Sequence, residues 1–188
     1  MKLILVNFDI VAFCFTYEGG IKMEFTKKGT QLETNGNPLQ VGDQLPAFTI
    51  LDAQNETISS NQLLNNLTFI SVVPNINTPV CSLSTRKFNE QVAEFPTVDF
   101  YTISTNTPAE QKEWCALSDV TAMHMLSDEK FEFGKQMGLF IADNQIDARS
   151  VWVIDTDGKI IYRELVRELS NEPNYQAVLN FIKNQIKK

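Results

Sequence analysis

The sequence predicts an α/β fold: a mixed central sheet flanked by helices on both faces, with a short β-hairpin at the N-terminal end. Three observations carry this. Strand-like and helix-like runs alternate along most of the chain, the order expected of a sheet with helical crossovers. The runs "LTFISVVP" and "VDFYTIST" read as buried strands, the first apolar on both faces and therefore central. Near the end, "SVWVIDTDGKIIYREL" joins two strand-like halves through Thr-Asp-Gly, which makes the last pair antiparallel and the sheet mixed.

The elements follow in order. "EFTKKGTQLETNGNPL" alternates weakly and carries Asn-Gly-Asn-Pro, so it reads as a short hairpin followed by a turn. "AFTILD" and "LTFISVVP" are strand-like. Cys81, Phe88, Val92 and Phe95 then recur at helical spacing, which places Cys81 in the first turn of a helix with Arg86 and Lys87 on its solvated face. After "VDFYTIST", Thr107 can cap a helix, Pro108 suits its first position, and Glu110 completes a capping box; Cys115 falls two turns in. A short strand around "MHML", a helix through "KFEFGKQMG", the Thr-Asp-Gly hairpin and the helix "NYQAVLNFIKNQIKK" complete the chain. Asp155 and Asp157 read as turn residues. His124, the sole histidine, reads as structural.

The chain has 188 residues, 43% apolar with 13 Phe, enough for one domain with a sizeable core. A net charge of −7 argues against nucleic acid or an anionic membrane as partner. The three cysteines, Cys14, Cys81 and Cys115, are too few and too dispersed for a disulfide scaffold, and no C-x-x-C or His-rich cluster suggests a metal. That usage fits a cytoplasmic protein in which any disulfide is catalytic.

"MKLILVNFDIVAFCFT" is a poor signal peptide, because Asn7 and Asp9 break its apolar run and no small-residue cleavage site follows. It is also too short and too polar to span a bilayer. Glu18-Gly19-Gly20 can be encoded by a bacterial ribosome-binding sequence two codons ahead of Met23. Residues 1–22 are therefore expected to be untranslated leader read in frame, with translation beginning at Met23 and Cys14 absent from the natural protein, the alternative being a real N-terminal extension with an inert Cys14; the working domain is expected to be 23–188.

"VVPNINTPVCSLSTRKFNE" holds the chemistry. A thiol reacts as thiolate, and a helix N-terminus favours that form through unpaired N–H groups and the positive end of its dipole. The Thr78 hydroxyl, three residues before Cys81, can bond the sulfur or an oxygen substrate, while Pro74 and Pro79 stiffen the loop. A guanidinium nearby would add a permanent charge and a donor fork. Arg86, one turn along the same helix, and Arg149, preceding "SVWVID", are both candidates, and spacing does not choose between them. Arg149 also has a plain alternative as the ion-pair partner of Asp147 or Asp143.

The pattern P-x-x-x-T-x-x-C, here Pro74, Thr78 and Cys81, resembles the active-site motif of the peroxiredoxins. With "TPVCSLSTRKF", the "EWC" that places Cys115 34 residues after Cys81, "DARSVWVIDTDGKIIY" and "NEPNY", the chain closely resembles the thiol peroxidase subfamily, the atypical two-cysteine type, from about residue 24 onward. The resemblance implies a thioredoxin-like fold, Cys81 as peroxidatic and Cys115 as resolving cysteine, and Pro74, Thr78 and Arg149 around the peroxide. It further implies an intramolecular Cys81–Cys115 disulfide, thioredoxin as reductant, a homodimer, and no metal or cofactor. Asn77 stands where many members have Asp, and Asn75 where a small hydroxyl residue is common. Two other classes compete: a thiol-disulfide oxidoreductase, which would normally carry C-x-x-C, and a redox-sensing binding protein, which would react without turnover.

Overall fold

The structure, a computed structural model, describes residues 24–187. The expected leader, residues 1–22 with Cys14, lies outside the described residues. The chain first forms the hairpin β1 (Glu24–Lys27) and β2 (Thr30–Glu33), turned by Lys28 and Gly29. A seven-stranded sheet follows, in the order β11-β10-β5-β6-β7-β3-β4. Its strands are β3 (Thr49–Leu51), β4 (Thr57–Ser59), β5 (Leu67–Val72), β6 (Val98–Ser104), β7 (His124–Ser127), β10 (Ser150–Ile154) and β11 (Ile160–Leu165). Only β5, β6 and β7 run parallel, joined by the crossover helices α1 (Pro79–Asn89) and α2 (Pro108–Ser118). The remaining pairs are antiparallel, so the sheet is mixed.

Alternation along the central strands divides the core in two. Phe69, Val151 and Val153 pack with Cys81 and Phe88 of α1, Trp114 of α2, and Val178 and Ile182 of α4 (Tyr175–Gln185). Ile70, Val72, Trp152 and Ile154 pack on the other face with Phe133 and Met137 of α3 (Glu132–Met137) and with Phe25 of the N-terminal hairpin. The buried Trp152 indole N–H donates to the Ser150 hydroxyl at 2.9 Å, which removes the cost of sealing that donor in the sheet.

Local signals held where hydrogen bonds close within a few residues. Thr107 Oγ1 accepts from Glu110 N at 3.3 Å while the Glu110 carboxylate accepts from Thr107 N at 2.8 Å, the expected reciprocal cap. Asp155 accepts from Asp157 N and Lys159 N across the turn between β10 and β11. The helix expected over 130–138 is shorter, because Phe131 takes a left-handed φ of 60° before it and Gly138 a φ of 70° after it. A β-carbon at Gly138 would come within 2.4 Å of the Asn37 carbonyl oxygen, so glycine is required there. Strand β4 and the small hairpin of β8 (Phe140–Ile141) and β9 (Ile146–Asp147) have no counterpart in the sequence reading. Among the described residues no helix is long and apolar enough to cross a membrane.

Candidate active site

The loop leaving β5 is closed by short-range bonds and held from one side. The Asn75 carboxamide oxygen accepts from Asn77 N at 2.9 Å, and the Asn75 carbonyl accepts from both Thr78 N and Thr78 Oγ1 at 3.1 Å. From the loop after β6, the Asn106 side-chain oxygen accepts from Ile76 N at 2.8 Å, and the Thr105 hydroxyl donates to the Pro74 carbonyl at 3.3 Å. Thr78 then enters α1 with extended backbone and Pro79 takes the first helical position. Cys81, 1% exposed, is the third residue of α1, where backbone N–H groups have no intrahelical acceptor.

Strand register brings the guanidinium to the sulfur. Ser150 of β10 lies opposite Val72 of β5, so Arg149 sits just beyond the strand end where the chain turns into α1. It shares parity with Val151 and Val153, whose side chains face the α1 side of the sheet. Arg149 is 2% exposed. Its Nη2 donates to Cys81 Sγ at 3.1 Å, its Nη1 to Ser84 Oγ at 3.4 Å, and its Nε to the Leu169 carbonyl at 3.1 Å. Ser84 in turn donates to the Cys81 carbonyl at 3.0 Å. Three acceptors thus fix the fork, and the ion pair with Asp147 or Asp143 considered from sequence is replaced by these bonds. Asp147 instead lies against Gly134 of α3, near Asp128.

Pro74, Thr78, Cys81 and Arg149 line one cavity of about 520 Å³. The Thr78 hydroxyl is turned to the Asn75 carbonyl rather than to the sulfur. Arg86 is exposed on α1, away from this cavity. Cys115 does not share it: this half-buried residue lines a separate cavity of about 410 Å³ with Tyr101 and His124. Burial pushes the Cys115 thiol up from its ordinary range, which keeps it protonated and a poor nucleophile while the helix is intact. Both Cys81 and Cys115 are free thiols. His124 is exposed, its ring 5.4 Å from that of Tyr101.

Sequence reasoning missed Ser84, Asn106, Lys27 and Lys28. Ser84 and Asn106 are buried polar side chains that orient Arg149 and the Cys81 loop. A small polar residue three positions after the cysteine was the only available signal for Ser84, and Asn106 had none beyond its place before a helix cap. Lys27 and Lys28 come to the cavity from the N-terminal hairpin.

A family model described as AhpC/TSA family matches residues 41–163. The chain belongs to that family. The thiol peroxidase of Bacillus subtilis is 39% identical over 165 residues, covering 87% of this chain and 99% of the relative. That of Staphylococcus epidermidis is 37% identical over 162 residues, covering 86% and 98%. A peroxiredoxin-like protein from Aquifex aeolicus superposes with a TM-score of 0.81 at 32% identity over 86% of this chain and 96% of that one. The thiol peroxidase from Chromobacterium violaceum shares the fold, with a TM-score of 0.80 at 15% identity over 87% and 98%. The thioredoxin-like architecture expected from the sequence is thus the fold of this AhpC/TSA member.

Proposed function

We propose that this chain reduces hydroperoxides by two-cysteine chemistry, with Cys81 as nucleophile, Cys115 as resolving thiol, and thioredoxin as the external reductant. The activity class, a thiol-dependent peroxidase, accords with the family and with relatives named thiol peroxidase. The observation that carries the residue assignment is the buried Arg149 fork 3.1 Å from Cys81 Sγ, at the floor of a cavity open to a small oxidant.

In the first step the Cys81 thiolate attacks the terminal oxygen of R–O–O–H. The S–O bond forms, the O–O bond breaks, and the electron pair leaves on RO⁻, which takes a proton to give ROH. Arg149 and the N–H groups at the start of α1 stabilise the charge transferred to the leaving oxygen. Pro74 keeps the loop in place and limits the access of water. In the second step the Cys115 thiol condenses with Cys81–SOH, forming S–S and releasing water. A dithiol then reduces the disulfide by exchange and is itself oxidised. The exposed Leu117, beside Cys115, gives the reductant an apolar contact once the disulfide has formed. A homodimer and a cytoplasmic location complete the proposal, both resting on family resemblance and cysteine usage. Peroxide loss coupled to thioredoxin and its reductase tests it. Turnover that needs both Cys81 and Cys115 is expected, and oxidation of Cys81 without turnover would sink the enzyme assignment in favour of a sensor.

A further inference from the structure

The Cys81 cavity is built for more than hydrogen peroxide. Its volume of about 520 Å³ falls within the roughly 300–1,000 Å³ range of pockets that take small organic ligands. Between floor and rim the wall is largely apolar, with Pro74, Val80, Ile146 and Leu169 among its side chains. Among the described residues its charged lining consists of Arg149, Lys27 and Lys28, with no acidic side chain, in a chain whose net charge is −7. Among the described residues no carboxylate forms an ion pair with either lysine.

The two lysines are held in position by backbone. Lys28 takes a left-handed φ of 52° in a two-residue turn that ordinarily uses Asn or Gly. The Glu168 carboxylate makes that turn tolerable by accepting from Lys28 N at 2.9 Å, Gly29 N at 3.3 Å and Thr26 Oγ1 at 2.9 Å. It is thereby committed to the turn's backbone and to Ser170 N at 3.0 Å. Leu169 N also donates to the Thr26 carbonyl, while the Leu169 carbonyl accepts from Arg149. Rim and floor of the cavity are therefore tied through one segment, 168–170.

From this arrangement we infer that the Lys27–Lys28 turn selects organic hydroperoxides bearing a carboxylate at the end of an apolar body remote from the peroxide. The hydroperoxide group meets Cys81 and Arg149, the apolar body lies along the wall, and the carboxylate reaches the rim ammonium groups. This rests on the peroxidase reading above.

The test compares single-turnover oxidation of the reduced protein by two acid/ester pairs: carboxylated cumene hydroperoxide and linoleic acid hydroperoxide, each against its methyl ester. In at least one pair the acid is expected to react about 3- to 10-fold faster, the worth of two exposed charges. That advantage should shrink with added salt for the wild-type protein and fall to about one in a Lys27→Gln/Lys28→Asn double variant; Asn suits the left-handed turn position. Equal rates for acid and ester in both pairs would overturn the inference, as would an acid preference that survives the double substitution or is insensitive to salt. A wild-type protein that reduces hydrogen peroxide but none of the four compounds would overturn the inference alone, whereas one that reduces neither these nor hydrogen peroxide would remove the peroxidase reading itself.

Discussion

Replacing Arg149 by alanine removes the donor nearest to the sulfur, and the structure sets the size of the effect. The Nη2 bond to Cys81 Sγ is 3.1 Å long, buried and charge-assisted, a class worth about 1.5–3 kcal/mol. Expressed wholly in the transition state, this is roughly a tenfold to 150-fold loss in the rate of peroxide reduction. Folding is affected too, since the Leu169 carbonyl loses its Nε donor and an unpaired buried acceptor costs about 1–3 kcal/mol. Arg149→Lys separates the two effects: it keeps the charge and much of the volume but cannot reach Leu169, Ser84 and Cys81 together from a single ammonium. The assay is stopped-flow oxidation of reduced protein by peroxide without reductant, with thermal melting run in parallel. Arg149→Ala should be slowest, Arg149→Lys intermediate, and Arg86→Ala, whose side chain is exposed on α1, near wild type. A wild-type rate for Arg149→Ala in a folded protein, with Arg86→Ala impaired, would refute the reasoning.

Cys81→Ser should abolish peroxide reduction, whereas Cys115→Ser should permit one oxidation, block thioredoxin-driven turnover and leave Cys81 open to sulfinic acid; multi-turnover activity in the latter would remove Cys115 from the cycle. Disulfide formation should require local unwinding, because a disulfide needs Cα atoms within about 4.4–6.8 Å and the two thiols line separate cavities on separate helices. Cys115 sits in the last turn of α2, where its carbonyl accepts the N–H of the left-handed capping Asp119, so opening should begin there. Amide exchange should lose protection over 109–119 or 78–90 on oxidation, and unchanged exchange in a protein with a verified Cys81–Cys115 bond would exclude the opening. Asp147 lies fully buried near Asp128, and burial followed by the Asp128 charge holds its carboxyl well above the usual range. An acid that is harder to ionise when folded costs stability progressively as pH rises from its unfolded value of about 4 towards its folded one. The melting-temperature advantage of Asp147→Asn over wild type should therefore grow from pH 4 to pH 7, and an advantage that stays flat or shrinks would contradict the shift.

What is legible in the amino-acid order is what hydrogen bonds and side-chain alternation encode over short range. The Thr107–Glu110 cap, the Thr-Asp-Gly hairpin, the two buried strands and the start of a helix just ahead of Cys81 each depend on residues within one or two turns of each other. Motif resemblance carried the family, because an ordered set of short patterns survives without any knowledge of contacts. Short elements were not legible: β4, β8 and β9 have two or three residues each, too few to show a period, and exist because neighbouring chain offers them partners. Spacing left Arg86 and Arg149 both open, motif resemblance named Arg149, and the contact itself is made by the tertiary structure. Arg86 is close to Cys81 in sequence yet turns to solvent, whereas Arg149, 68 residues away, is delivered by the β5–β10 register and the side-chain parity of β10. Only the packed fold brought Asn106 under the Cys81 loop and Lys27 and Lys28 to the cavity rim, since those meetings depend on how separate elements stack rather than on what any one of them contains.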